Sequence, residues 1–328
     1  MTLNRRTALG LAALAATARP AAARTQVSPQ IAPPDPTEVI RLWPGAAPGG
    51  ERVTVTPEVT ERSTDPAFHD RFARYTTDPI LTVLRPDRPN GASLLLIPGG
   101  GYRWAVVDKE GLDCARVFAA AGVTCFVLRY RLPGDGWSAG PDAPLQDAQR
   151  ALRLIRAQAV TQGLDPTRVA VLGASAGGHL AGMLTARADV TYAAVDEADA
   201  GSHRPDLSIL LYPVATMADP HVHAGSRREL LGETPTPEAI TRYSLERMDW
   251  TDCSPTFLLH AMDDASVPVA NSLQLIAALR AAAVPCEAHL FEAGGHGFGI
   301  RLIAGKPAAV WPQLALAWAG RHGWAAPT

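Results

Sequence analysis

Little in this sequence is charged in one sense: 30 Lys and Arg face 32 Asp and Glu, a formal net charge of −2, with charged residues at 19%. There is no basic stripe to bind nucleic acid and no acidic tail to stay solvated. Cysteine is scarce too. Cys114, Cys125, Cys253 and Cys286 share no C-x-x-C spacing and no zinc-type cluster, which argues against a metal site built on them. Cys253 and Cys286 stand at the starts of two predicted neighbouring strands, so an oxidising compartment would allow them to pair; the other reading is buried, unpaired thiols. No internal repeat is present, which removes solenoid architectures.

With 328 residues and 47% hydrophobic composition, the chain is long and apolar enough to bury one large core. The expected partner is a small or neutral molecule, and no cofactor is expected.

The first residues read separately. In "MTLNRRTALGLAALAATARPAAA" the pair Arg5 and Arg6 precedes an Ala/Leu-rich stretch that ends in the small residues Ala21 to Ala23. This is the pattern of a twin-arginine export signal over residues 1–23, too short and Ala-rich for a membrane span, and it predicts a periplasmic or secreted protein. The Pro-rich stretch ending at Glu38 reads as a linker over residues 24–38, and the folded domain is expected over residues 39–328.

Within that domain, short apolar runs bounded by Gly, Pro and Asp predict strands: "ILTVLRP", "SLLLIPGG", "TCFVLRY", "RVAVLG", "DLSILLYP", "TFLLHAMDD" and "CEAHLFEAGG". Several are apolar on both faces, as in a covered parallel sheet. Between them, "KEGLDCARVFAAAG", "LQDAQRALRLIRAQAVTQG", "SAGGHLAGMLTARA" and "PVANSLQLIAALRAAAV" carry helical periodicity. The alternation predicts an α/β fold: an open, mostly parallel sheet with helices on both faces. Residues 218–250 interrupt it and are expected to form an insertion over the C-terminal edge, where a pocket would be shaped.

"GASAGGH", residues 173–179, follows a predicted strand and opens a helix. Small residues on both sides of Ser175 suit a strained strand-to-helix corner that exposes the hydroxyl as a nucleophile. A serine hydroxyl needs a base and an acid to orient that base. "HAMDDASVP" places Asp263 and Asp264 at the end of a later strand, and "FEAGGHGFG" places His296 after the next. Ser, then Asp, then His is the chain order this fold requires. In "LIPGGGYRW", Gly100 and Gly101 are expected to bring one backbone amide to an oxyanion and Ala176 a second; neither dinucleotide nor P-loop spacing is present.

"PGGGY", "EG", "YRLP", "GASAGGHLA", "HAMDDASVP" and "GGHGFG", in this order, resemble the α/β-hydrolase superfamily over roughly Leu42 to Trp318, and within it the bacterial acetylxylan and feruloyl esterases. The resemblance implies Ser175 as nucleophile, His296 as base, and Asp264 rather than Asp263 as acid, because Asp264 stands three before Val267 in D-x-x-V-P. It implies hydrolysis of carboxylic esters, with small-molecule or oligosaccharide substrates. One departure is Pro98, where many esterases of the wider superfamily carry His, so the oxyanion loop is expected to be held differently. The rival readings are a general short-chain carboxylesterase, a serine peptidase on the same fold, and a non-catalytic binding relative.

Other residues invite weaker readings. Tyr102, Trp104 and Trp137 suit either a substrate pocket or the core. His179, one helical turn after Ser175, is expected to make a structural hydrogen bond. His221 and His223 suit a solvated loop better than a metal site. Asp147 is expected to pair with Arg131 or Arg150 in the scaffold.

Overall fold

The computed structural model describes residues 32–325, so the export signal read at residues 1–23 lies outside the described residues, as does most of the linker. Residues 32–38 carry no helix or strand, and regular structure starts at Val39.

All seven apolar runs form strands. The main sheet takes β1 (Val39–Arg41), β4 (Ile80–Leu84), β5 (Ser93–Ile97), β7 (Thr124–Arg129), β8 (Val169–Ala174), β9 (Leu207–Leu211), β10 (Thr256–Ala261) and β11 (Cys286–Phe291). Their order is β1-β4-β7-β5-β8-β9-β10-β11. The six strands from β7 to β11 run parallel; β4 pairs antiparallel with β7, and β1 with β4. A smaller antiparallel sheet of β2 (Glu58–Glu61), β3 (Arg71–Arg74) and β6 (Ala105–Val106), absent from the sequence reading, lies in the connections before β7.

The strand period of two divides the core into two layers. Leu95 and Ile97 of β5 face the layer covered by α2 (Ala143–Ala159), α3 (Ala176–Ala186) and α6 (Ala270–Ala281). Leu94 and Leu96 face the opposite layer, covered by α1 (Asp113–Ala120) and α7 (Trp311–Arg321). All four are fully buried, and burial of each such side chain contributes about 2 kcal/mol.

A buried ion pair sits at one edge of this core. Arg131 Nε donates to Asp147 Oδ1 at 2.9 Å, Trp43 Nε1 donates to the same oxygen at 2.9 Å, and both charged side chains are fully buried. Arg150 pairs instead with Asp196 and Asp199. The four cysteines are free thiols.

Between β9 and β10 the chain forms α4 (Ala224–Leu231) and α5 (Pro237–Arg242), within the stretch read as an insertion. Thr236 caps α5 by accepting the Ala239 amide, and Pro237 follows it at the first helical position, where a missing N–H costs nothing. Among the described residues, no helix is long and apolar enough to cross a membrane.

Candidate active site

Strand β8 ends at Ala174 and α3 begins at Ala176, so Ser175 alone makes the turn. Its φ of 55° and ψ of −120° are strained for a residue with a side chain, which points the hydroxyl away from the sheet. The corner is held from below: the Ser175 amide donates to Leu211 O at 2.9 Å, and Ser175 O accepts from the Val214 amide at 3.1 Å. Gly177 is required by space, because a Cβ there would lie 2.1 Å from Ile97 O. The elbow helix therefore packs directly onto the end of β5.

Three side chains from three loops converge on this corner. Ser175 Oγ lies 2.8 Å from His296 Nε2, and His296 Nδ1 lies 2.7 Å from Asp264 Oδ2. The carboxylate can only accept, so the network assigns the ring proton to Nδ1 and leaves Nε2 to accept the Ser175 proton. Asp264 Oδ1 accepts the amides of Ser266 and Val267 at 2.9 and 2.8 Å. Burial alone would raise the Asp264 carboxyl; hydrogen bonds from His260 and His296, with those backbone amides, outweigh it and hold the group well below the usual carboxylate range.

His260, which the sequence reading passed over, braces the acid from the other side. Its Nε2 lies 3.2 Å from Asp264 Oδ2 and 3.0 Å from Val267 O, while Nδ1 accepts from Ser272 Oγ at 2.8 Å.

The loop after β5 supplies the opposite wall. Gly100 takes a φ of 132°, a conformation open only to glycine, and a Cβ there would lie 2.2 Å from Trp104 O. Gly100 O accepts from the Arg103 amide, whereas the amides of Gly100 and Gly101 meet no acceptor among the described residues. With Ala176 at the first position of α3, these amides stand beside Ser175, where the helix dipole favours negative charge. The loop that begins at Pro98 is held by Tyr130, whose hydroxyl donates to Pro98 O at 2.9 Å, and by Glu110, whose Oε2 accepts the Gly99 amide at 3.0 Å.

A cleft of about 360 Å³ opens over Ser175 and His296, with Trp104, Arg103, His223 and Arg228 among its walls. Of the three aromatic residues read as pocket or core, only Trp104 lines it. Tyr102 is buried and its hydroxyl bonds His179 Nδ1 at 2.7 Å. Trp137 is buried under the Arg131 guanidinium, 4.8 Å from its ring centre, away from the cleft. The pocket reading of Tyr102 and Trp137 is thus corrected, because both rings are taken up by buried polar partners.

His179 lies in the scaffold: Nε2 donates to Tyr243 O at 2.7 Å, and burial pushes its pKa down to about 4 despite that bond. The solvated-loop reading fails for His223. Its ring is half-buried in the cleft wall, where Nδ1 accepts the Ser226 amide at 3.1 Å and caps α4; burial first, then the neighbouring His296, lowers its pKa. Among the described residues, no group of three or more His, Cys, Asp or Glu side chains is placed to hold a metal ion.

A serine on a strand-to-helix elbow, above a mostly parallel sheet, with an aspartate and a histidine supplied after its last two strands, β10 and β11, defines the α/β-hydrolase class. Residues 94–300 match the family model described as alpha/beta hydrolase fold, and the chain belongs to that family. It is 36% identical over 221 residues to endo-1,4-beta-xylanase B of Butyrivibrio fibrisolvens, covering 67% of this chain and 34% of that protein. It is 31% identical over 219 residues to an acetylxylan esterase of Xylanibacter ruminicola, covering 65% of this chain and 42% of that protein. The chain thus spans less than half the length of these two relatives. Among solved structures, an acetyl ester-xyloside bifunctional hydrolase from Caldicellulosiruptor lactoaceticus superposes with a TM-score of 0.68 at 32% identity, covering 88% of this chain and 97% of that one.

Proposed function

We propose that this protein is a serine esterase that removes acetyl groups from acetylated xylan fragments or related carbohydrate esters. The observation that carries the reading is the relay from Ser175 Oγ through His296 to Asp264, with links of 2.8 and 2.7 Å, at the floor of an open cleft.

In this reading His296 Nε2 takes the hydroxyl proton as Ser175 Oγ attacks the ester carbonyl. The carbonyl oxygen becomes an oxyanion and is met by the amides of Ala176 and of Gly100 or Gly101, each such donor worth about 3 kcal/mol. The imidazolium then protonates the leaving alcohol, and the acetyl-enzyme is released by water activated at the same nitrogen. Asp264 stays ionised throughout and holds the ring in the required tautomer.

The carbohydrate assignment is supported by the acetylxylan esterase among the relatives and by the polar, cationic walls of the cleft, to which Trp104 adds an aromatic side chain. Export through the Arg5–Arg6 leader would place the enzyme where polysaccharide fragments arrive; the N-terminus of protein recovered from the periplasm, expected near residue 24, tests this.

The deciding experiment compares kcat/KM for p-nitrophenyl acetate, butyrate and octanoate, methyl ferulate and acetylated xylo-oligosaccharides, with Ser175→Ala as control. Preference for acetate and release of acetate from the sugars is expected. Faster cleavage of longer acyl chains with the sugars untouched would make it a general carboxylesterase instead.

A further inference from the structure

Glu110 is buried beneath the cleft, with 3% of its surface exposed, and its two oxygens bond two different loops. Oε2 accepts the amide of Gly99, the residue before the glycines that face Ser175, at 3.0 Å. Oε1 accepts from the Tyr212 hydroxyl at 3.1 Å. That hydroxyl in turn accepts the Gly299 amide at 3.0 Å, three residues past His296, and the Tyr212 ring meets His296 edge to face with centres 5.1 Å apart.

The backbone is shaped to put the carboxylate there. Asp108–Leu112 forms a π-helical turn that runs straight into α1, a rare wide turn that is frequent at functional sites. One side of the turn is tied to β3, where Arg71 Nη2 lies 2.7 Å from Asp108 Oδ1. The other presses onto the oxyanion loop: a Cβ on Gly111 would lie 2.8 Å from Val127 Cγ1 and 3.3 Å from Pro98 Cγ. Burying a carboxyl group away from water is costly, and a scaffold that needed only packing would place an apolar side chain there.

We infer that Glu110 is a positioning residue that locks the oxyanion loop and the histidine loop into one register, through Gly99 on one side and Tyr212 on the other. The inference rests on the serine-esterase reading above and adds to it a fourth side chain on which the chemistry depends. Neither bond touches the substrate. What they set is the gap between the amides that receive the oxyanion and the nitrogen that carries the proton, and a misplacement of about 1 Å in such a gap costs about 100-fold in rate.

The test measures kcat and KM on p-nitrophenyl acetate for Glu110→Gln, Tyr212→Phe and the double variant. Rates are divided by the active serines titrated with a phosphonate, so that partial misfolding drops out. Glu110→Gln keeps the volume but replaces one of the two accepting oxygens by an NH2 group, so that either the Gly99 amide or the Tyr212 hydroxyl faces a donor. It is expected to lower kcat per titrated serine about 10- to 100-fold with KM changed less than about threefold. Tyr212→Phe is expected to lower it less, and the double variant to be no worse than Glu110→Gln alone, the signature of one connected network.

A kcat per titrated serine within about twofold of wild type in Glu110→Gln, or losses that multiply in the double variant, would overturn the inference. If Glu110→Gln does not fold, Tyr212→Phe decides alone: a several-fold loss of kcat at unchanged KM supports the lock and an unchanged kcat overturns it. Wild-type protein that fails to react with the phosphonate would instead sink the esterase reading itself.

Discussion

Asp263 and Asp264 are neighbours in the chain, yet they grip different parts of the same histidine loop. Asp264 Oδ2 meets His296 Nδ1 at 2.7 Å, whereas Asp263 Oδ1 accepts the amides of Gly294 and Gly295 at 2.9 and 2.8 Å. One carboxylate orients the imidazole and the other anchors the backbone that carries it.

The two acids therefore separate under mutation. Asp264→Asn should cut kcat by roughly 10⁴-fold, because an amide at that position favours the wrong tautomer of His296. Asp263→Asn retains an oxygen for the two glycine amides and should keep kcat within roughly fivefold of wild type. Steady-state kinetics on p-nitrophenyl acetate checks both, and the reverse ranking would exchange their roles.

Ser175→Ala should remove activity by roughly 10⁴-fold or more while the protein still unfolds cooperatively. The φ of 55° at this corner adds a second expectation. Alanine keeps the strain and glycine does not, so Ser175→Gly should be more stable than Ser175→Ala by about 1 kcal/mol, read from urea midpoints.

Among the aromatic residues near the elbow, only Trp104 should affect substrate binding. Trp104→Ala is expected to raise KM for acetylated xylo-oligosaccharides by roughly two- to tenfold, the loss of one ring contact. Trp137→Phe keeps a ring beneath Arg131 and should leave KM unchanged. An equal effect of the two would restore Trp137 to the cleft.

Acid should weaken the fold through His179. Its folded pKa is pushed down from 6.5 to about 4, so between these values the unfolded chain takes up a proton that the folded chain refuses. The stability involved is fully present above pH 6.5 and is lost as pH falls towards 4. From pH 7.5 to 4.5 wild type should lose roughly 2–3 kcal/mol more than His179→Gln, which can keep a hydrogen bond to Tyr243 O and does not titrate. Asp264, held low in the fold, gives up its own contribution only in more acid solution and in both proteins alike. Urea unfolding at the two pH values is the measurement, and equal losses would show that another group carries the acid sensitivity.

Much of the architecture was legible because it is local. The runs from "ILTVL" to "CEAHLF" became strands where burial on one or both faces demanded it, and the small residues around Ser175 announce a turn that larger ones would block. The antiparallel sheet of β2, β3 and β6 was not legible: two of its strands are four residues long and one is two, and its pairing is decided by the chain that folds back beside it. The last helix, α7, was missed although Trp311, Ala315 and Trp318 lie on one face.

By itself, then, the sequence determined the alternation that makes an open parallel sheet and the chain order in which serine, acid and histidine reach its C-terminal edge. Asp264, singled out by its place three before Val267, does face the imidazole; tertiary structure alone decided that Tyr102 and Trp137 turn inward while Trp104 lines the cleft, and that His223 enters its wall. It also decided that Glu110 reaches Tyr212, 102 residues away. The physical reason is the same in each case. A side chain's direction after a turn, and the partner that satisfies its polar atoms once it is buried, depend on segments distant in the chain, and no local periodicity encodes them.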